Sequence, residues 1–103
     1  MSIIANLNLS TPTDIALSHQ QVLSARSFDI DGSTVIAILT SPIYLKSERD
    51  KLATEIVDLV NETFDGKVYV TYDTEVYRKI KAEITDDFKR QLLAKVTATK
   101  PTL

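Results

Sequence analysis

The chain has no cysteine and one histidine, His19. It therefore cannot build a thiolate zinc site, a Cys-x-x-Cys redox pair or a two-histidine metal centre. It has two glycines, Gly32 and Gly66, and no G-x-G-x-x-G, G-x-x-x-x-G-K or G-x-S-x-G can be assembled around them. Phosphate-cradling loops and nucleophile elbows are thus excluded in their common forms. Asp29, Asp31 and Gly32 fall short of the ligand set of a calcium loop. No apolar run approaches the roughly 20 residues that span a bilayer, and the first residues lack the charged and apolar regions of a signal peptide. The chain as it stands is expected to be soluble and not to insert into a membrane. Absence of cysteine fits a cytosolic protein and the soluble part of an exported one equally, which leaves the compartment open. An excess of one charge is missing too: 12 basic residues stand against 14 acidic ones, a net charge of -2, with no long block of either sign. A phosphate-neutralising surface is not expected, so nucleic acid is not an expected partner.

What the chain does have is 103 residues of which 44% are hydrophobic, enough for one continuous core and too few for two. We place a single domain over residues 1–98 and a tail over 99–103. A domain of this size buries only about two thirds of its unfolded surface, so most Val, Leu and Ile positions are assigned to the core.

Ile3, Ala5, Leu7 and Leu9 alternate with Ile4, Asn6, Asn8 and Ser10, the two-residue period of a strand with one buried face. Pro12 breaks that ladder, and Thr13 or Asp14 can cap a helix carrying Ile15, Ala16, His19, Val22 and Leu23, although Val22–Ile30 also reads as an extended strand. Asp31-Gly32 supplies two positive-φ residues for a type I′ turn between Phe28–Ile30 and Thr34–Leu39. Ser41-Pro42 ends the second of these strands. Ser47-Glu48-Arg49-Asp50 resembles a capping box with Asp in the last place, and Leu52, Ile56, Leu59, Val60 and Phe64 follow at helical spacing. A helix is predicted over Glu48–Phe64, with Asp65-Gly66 as its left-handed stop. Val68, Val70 and Tyr72 then mark a short strand, and Asp73 or Thr74 caps a last helical segment. There Val76, Ile80, Ile84, Phe88, Leu92 and Val96 recur every four residues, a stripe that drifts about 40° per step around an ideal helix. Thr85-Asp86-Asp87 has the composition of a fresh cap and first turn, so a bend or a two-part helix is expected there.

The order β-α-β-β-α-β with an extra C-terminal helical arm is that of an α+β, ferredoxin-like split βαβ domain with an antiparallel sheet. Its third strand is apolar on both sides, Val35, Ala37 and Leu39 against Ile36 and Ile38. A two-layer domain covers one face of its sheet, so something must cover the other: the C-terminal arm or a second protomer.

No residue set points to catalysis. His19 with Asp14 or another carboxylate could act as a base, but no Ser or Cys nucleophile motif surrounds it, and a structural histidine explains it better. Turn formation explains Asp29 and Asp31, and a helix N-terminus explains Asp86 and Asp87. No catalytic, cofactor-binding or metal-binding residue is assigned. Among the clustered tyrosines, Tyr72 is assigned to the core, and Tyr69, facing away from Val68 and Val70, either lies in a contact surface or simply caps the sheet. An RNA-binding sheet would carry aromatics on its central strands, and Thr34–Leu39 has none.

Ser33–Leu39 (STVIAIL), the long helix after Leu45, and Lys67–Asp73 (KVYVTYD) leading into Val76-Tyr77-Arg78-Lys79-Ile80 resemble the YhcN/YlaJ family of sporulation lipoproteins. The likeness covers roughly Ile15 to Ile84. It implies an envelope or spore-associated protein with an assembly or germination role and no catalytic residues. The family's signal peptide and lipidated cysteine have no counterpart in this sequence. The expected function is a non-enzymatic interaction or assembly module, most simply a homodimer. Its contact would be built from Ile36, Ile38 and Tyr69 of the sheet or Phe88, Leu92 and Val96 of the arm. The alternative is a small regulatory ligand-binding domain, or a phage-type inhibitor that binds an enzyme.

Overall fold

The structure is a computed structural model that describes residues 11–99. The strand expected over Ile3–Leu9 and the tail from Lys100 lie outside the described residues. Within them, α1 (Pro12–Leu17), β1 (Ser24–Ile30), β2 (Ser33–Leu39), α2 (Lys46–Asn61), β3 (Lys67–Thr71), α3 (Thr74–Lys79) and α4 (Asp86–Thr99) follow in that order. They make a small α+β domain, a mixed sheet of three strands in the order β1-β2-β3 with helices packed on both faces.

The hairpin forms as its turn chemistry demands. Asp31 and Gly32 sit at φ 51° and 78°, the positive pair a type I′ turn needs. The antiparallel register runs from Ile30↔Ser33 to Ser24↔Leu39, and the Thr34 hydroxyl donates to the Asp29 carboxylate at 2.7 Å. β2 is the central strand, as expected.

The other pairing departs from the antiparallel split βαβ sheet. β3 lies directly beside β2 and parallel to it, from Ser33↔Lys67 to Ala37↔Thr71. The 16-residue α2 is long enough to carry the chain back across the sheet, which is what a parallel return requires. The start of β3 is then pinned at the hairpin turn, where the Lys67 amide donates to the Gly32 carbonyl at 3.3 Å. Gly66 permits this approach: its φ is +98°, and a Cβ there would stand 2.7 Å from the Gly32 oxygen. Gly66 is therefore not the helix stop. The helix has already ended at Asn61, with Glu62 still right-handed.

Each face of the sheet has its own core. On one face Ala25, Ile36, Ile38, Val68 and Val70 pack with Ile15 and Ala16 of α1 and with Leu52, Ala53, Ile56 and Val60 of α2. On the other, Phe28, Ile30, Val35 and Ala37 pack with Val76 and Ile80 at α3 and with Leu92 and Val96 of α4. The C-terminal arm thus folds over its own sheet and supplies the second cover.

Local chemistry sets the helix ends. Thr11, not Thr13 or Asp14, caps α1 by accepting the Asp14 amide at 3.1 Å, and Pro12 stands in the first turn, where a missing N–H costs nothing. This helix stops at Leu17. His19, Val22 and Leu23 lie beyond it, and the Leu23 amide already bonds the Leu39 carbonyl at 2.8 Å. α2 begins at Lys46, where the Glu48 carboxylate reaches back to the Leu45 amide at 2.7 Å. Asp73 caps α3 through the Glu75 amide at 2.8 Å. The Thr85 hydroxyl accepts the Phe88 amide at 3.2 Å, so the bend expected near Thr85 is a full break between two helices.

Ile56 and Val60 are both fully buried beneath α2. Ile56→Ala should lower unfolding free energy by about 2–5 kcal/mol, through lost burial and the cavity left behind. Urea unfolding measures this, and a change under about 0.5 kcal/mol, the range of surface substitutions, would contradict the packing.

Candidate functional site: the groove beside the outer strand edge

β1 is an outer strand, and on its free side it pairs with no strand among the described residues. In a hairpin closed by a two-residue turn, alternate pairs exchange hydrogen bonds, beginning with the pair that flanks the turn, here Ile30 and Ser33. The backbone N–H and C=O groups of Ala25, Ser27 and Asp29 therefore point away from β2. Facing them is the non-helical connection Ile80–Thr85 between α3 and α4.

Between these walls runs an open groove in two adjoining parts. The inner part, about 470 Å³, is lined by Arg26, Ser27, Ile80, Lys81 and Ala82. The outer part, about 730 Å³, continues between residues 27–29 and 81–85 and reaches Lys89.

Arg26 joins the walls. Its guanidinium lies 4.2 Å from the centroid of the Tyr77 ring, and Nη1 donates to the carbonyls of Tyr77 and Ile80, both at 3.2 Å. Carbonyls near a helix C-terminus are short of donors within the helix: the Tyr77 carbonyl accepts the Ile80 amide at 3.3 Å, and the single Nη1 of Arg26 adds a second donor to it and serves the Ile80 carbonyl beside the cation–π contact. The Tyr77 hydroxyl in turn meets the Ser24 hydroxyl at 2.6 Å. On the other face, the Ser27 hydroxyl is held by Thr13 of α1 at 2.7 Å.

Charge is unevenly placed along the groove. The inner part presents Arg26 and Lys81 with no carboxylate in its lining. The outer part mixes Asp29 and Glu83 with Lys81 and Lys89. Asp29 is already bonded to Thr34, and Lys89 stands 3.9 Å from Asp86. Beyond the groove, Arg90 of α4 clamps the hairpin turn: Nε lies 2.8 Å from Asp31 and Nη1 3.4 Å from Asp87. The hydrogen bond from Arg90 holds the Asp31 carboxyl below the usual carboxylate range.

Two further polar clusters lie outside the groove. His19 Nδ1 accepts the Gln21 amide at 3.2 Å and Nε2 meets Glu55 of α2 at 2.9 Å, which fits the tautomer with its proton on Nε2. It ties the connection after α1 to α2, with Glu55 rather than Asp14 as its carboxylate. At the end of the sheet where β2 leads into α2, the Tyr72 hydroxyl donates to Asp50 at 2.6 Å and Lys46 bonds the same carboxylate at 3.0 Å. Burial, seconded by Asp50, pushes the Tyr72 phenol above its ordinary value, so this residue is a half-buried anchor and not plain core. Arg49 holds the preceding turn by donating to the Pro42 carbonyl at 3.2 Å. Among the described residues no group of three His, Asp or Glu side chains is placed to hold a metal ion, and no helix is long and apolar enough to cross a membrane.

Of the contact residues expected from sequence, four are buried within the chain itself. Ile36 and Ile38 are sealed beneath α1 and α2, Leu92 and Val96 are buried against the opposite face, and Tyr69 and Phe88 are partly buried beside them. Being apolar, the four buried residues need a covering partner. The chain's own helices are that partner. Arg26 and Lys81 carry no motif in the sequence, and only the reading of Val22–Ile30 as extended places Arg26 on a strand. No protein-family model matches the chain, and no curated protein or solved structure matches it.

Because the folded Asp31 carboxyl is depressed, the stability it contributes is fully present above the unfolded carboxylate range and is lost as pH falls through its lower folded value. The advantage of the wild type over Arg90→Gln should therefore shrink on acidification. Urea midpoints of both proteins across the acid range test this, and a gap that stays constant would contradict the clamp.

Proposed function

We propose that the chain is a non-enzymatic protein-interaction module that takes up an extended segment of a protein partner along the outer edge of β1. One observation carries this reading: the outward backbone groups of Ala25, Ser27 and Asp29 face a groove whose far wall is the non-helical connection after α3. An edge that no strand among the described residues pairs offers a template for one more strand, with main-chain hydrogen bonds supplying affinity and side-chain pockets supplying selectivity. The groove pairs no nucleophile with a base, since the Ser27 hydroxyl is engaged by Thr13, which favours binding over catalysis. The likeness to sporulation lipoproteins rests on sequence pattern alone, and it makes a spore- or envelope-associated partner the one to try first.

Peptides selected from a random twelve-residue library should shift the amide resonances of Ala25, Ser27 and Asp29. Ser27→Pro should abolish their binding without unfolding the domain, because the N–H it removes points away from β2 and proline is tolerated at sheet edges. Shifts centred elsewhere, or undiminished binding to the proline variant, would overturn the reading.

A second reading, self-association as a homodimer, is favoured by three exposed side chains at the end where β2 leads into α2. Leu23, Ile43 and Leu45 retain 66%, 80% and 67% of their surface there. Exposed apolar clusters are common contact sites. Sedimentation equilibrium should then show a dimer that Ile43→Asp weakens, whereas a wild type that stays monomeric at high micromolar concentration would dismiss it.

A further inference from the structure

The inner part of the groove holds two cations, Arg26 and Lys81, and no ion pair joins either to a carboxylate among the described residues. Arg90, Lys46 and Lys95 all have acidic partners within 4 Å.

Arg26 is also fixed in place. Its ring contact and its two carbonyl bonds use one face and one Nη1 of the guanidinium, which leaves Nε and Nη2 as donors on a side chain whose ordering has already been achieved by the fold. A carboxylate arriving there gains charge-assisted hydrogen bonds without the entropic cost of ordering the arginine.

Resting on the strand-docking reading, we propose that the docked segment is an extended peptide carrying an acidic side chain at the position that meets Arg26 and Lys81. The outer part of the groove, where Asp29 and Glu83 balance Lys81 and Lys89, sets no such charge requirement.

The test starts from the unbiased library already described, with the 103-residue chain immobilised and no acidic residue imposed. Selected binders should share Asp or Glu at one position. For a chosen binder, replacing that residue by its amide, or by Lys, should weaken binding about fivefold or more, and the loss should shrink as salt is raised. Lys81 is exposed, so Lys81→Glu leaves the fold intact; it should weaken the acidic peptide by a similar factor and narrow its advantage over the Lys peptide. Binders that shift Ala25, Ser27 and Asp29 but tolerate amide and Lys replacement equally would overturn the acidic preference alone. A library that yields no binder at those amides would overturn strand docking itself, and this inference with it.

Discussion

β2 is apolar on both sides, with Val35 and Ala37 turned to one face and Ile36 and Ile38 to the other, and all four are fully buried. A strand of this kind cannot sit in a sheet with one wet face, so the domain must find helices for both. The short chain meets that demand by placing α1 and α2 on the Ile36 side and folding α3 and α4 back over the Val35 side. The break between α3 and α4 follows from the same constraint. A stripe recurring every four residues rotates away from its target along one straight helix. Interrupting the helix over Ile80–Thr85 resets its phase, so that Val76 and Ile80 on one segment and Leu92 and Val96 on the other reach a single core.

The hairpin turn is the second fixed point. Asp31-Gly32 closes β1 on β2, receives the amide that starts β3, and is gripped from the opposite layer by Arg90. The two glycines of the chain meet there, one to make the turn and the other to let a backbone pass against it. Turn, parallel strand and last helix are thereby coupled at one corner of the sheet.

The candidate site is a product of these packing requirements. Because the helix must break, a non-helical connection runs beside the outer edge of β1. Where α3 ends, Arg26 of β1 bonds the Ile80 carbonyl and adds a donor to the Tyr77 carbonyl, which also accepts the Ile80 amide. The resulting groove has a strand edge on one side and a cationic inner end. A contact surface was expected instead on the apolar residues of β2 and the arm, where hydrophobicity is highest. The structure spends that hydrophobicity on folding and leaves polar backbone and two cations facing outward.

What the sequence determined by itself is what neighbouring residues decide among themselves. The Asp31-Gly32 turn, the apolar period of α2, the alternation of β3, the Asp73 cap and the interruption near Thr85 all depend on chemistry within a few positions of chain, and each was legible there. The sequence also showed that β2 needed cover on both faces, but a period reports which side of an element is apolar and not what lies against it. Only the tertiary structure decided that β3 returns parallel beside β2, that the arm covers its own sheet, and that α1 stops at Leu17. It also set Arg26 against the carbonyls of Tyr77 and Ile80, residues more than fifty positions away. Such contacts arise from the closure of one shared core, where the position of each element is fixed by all the others at once, and no local pattern records them.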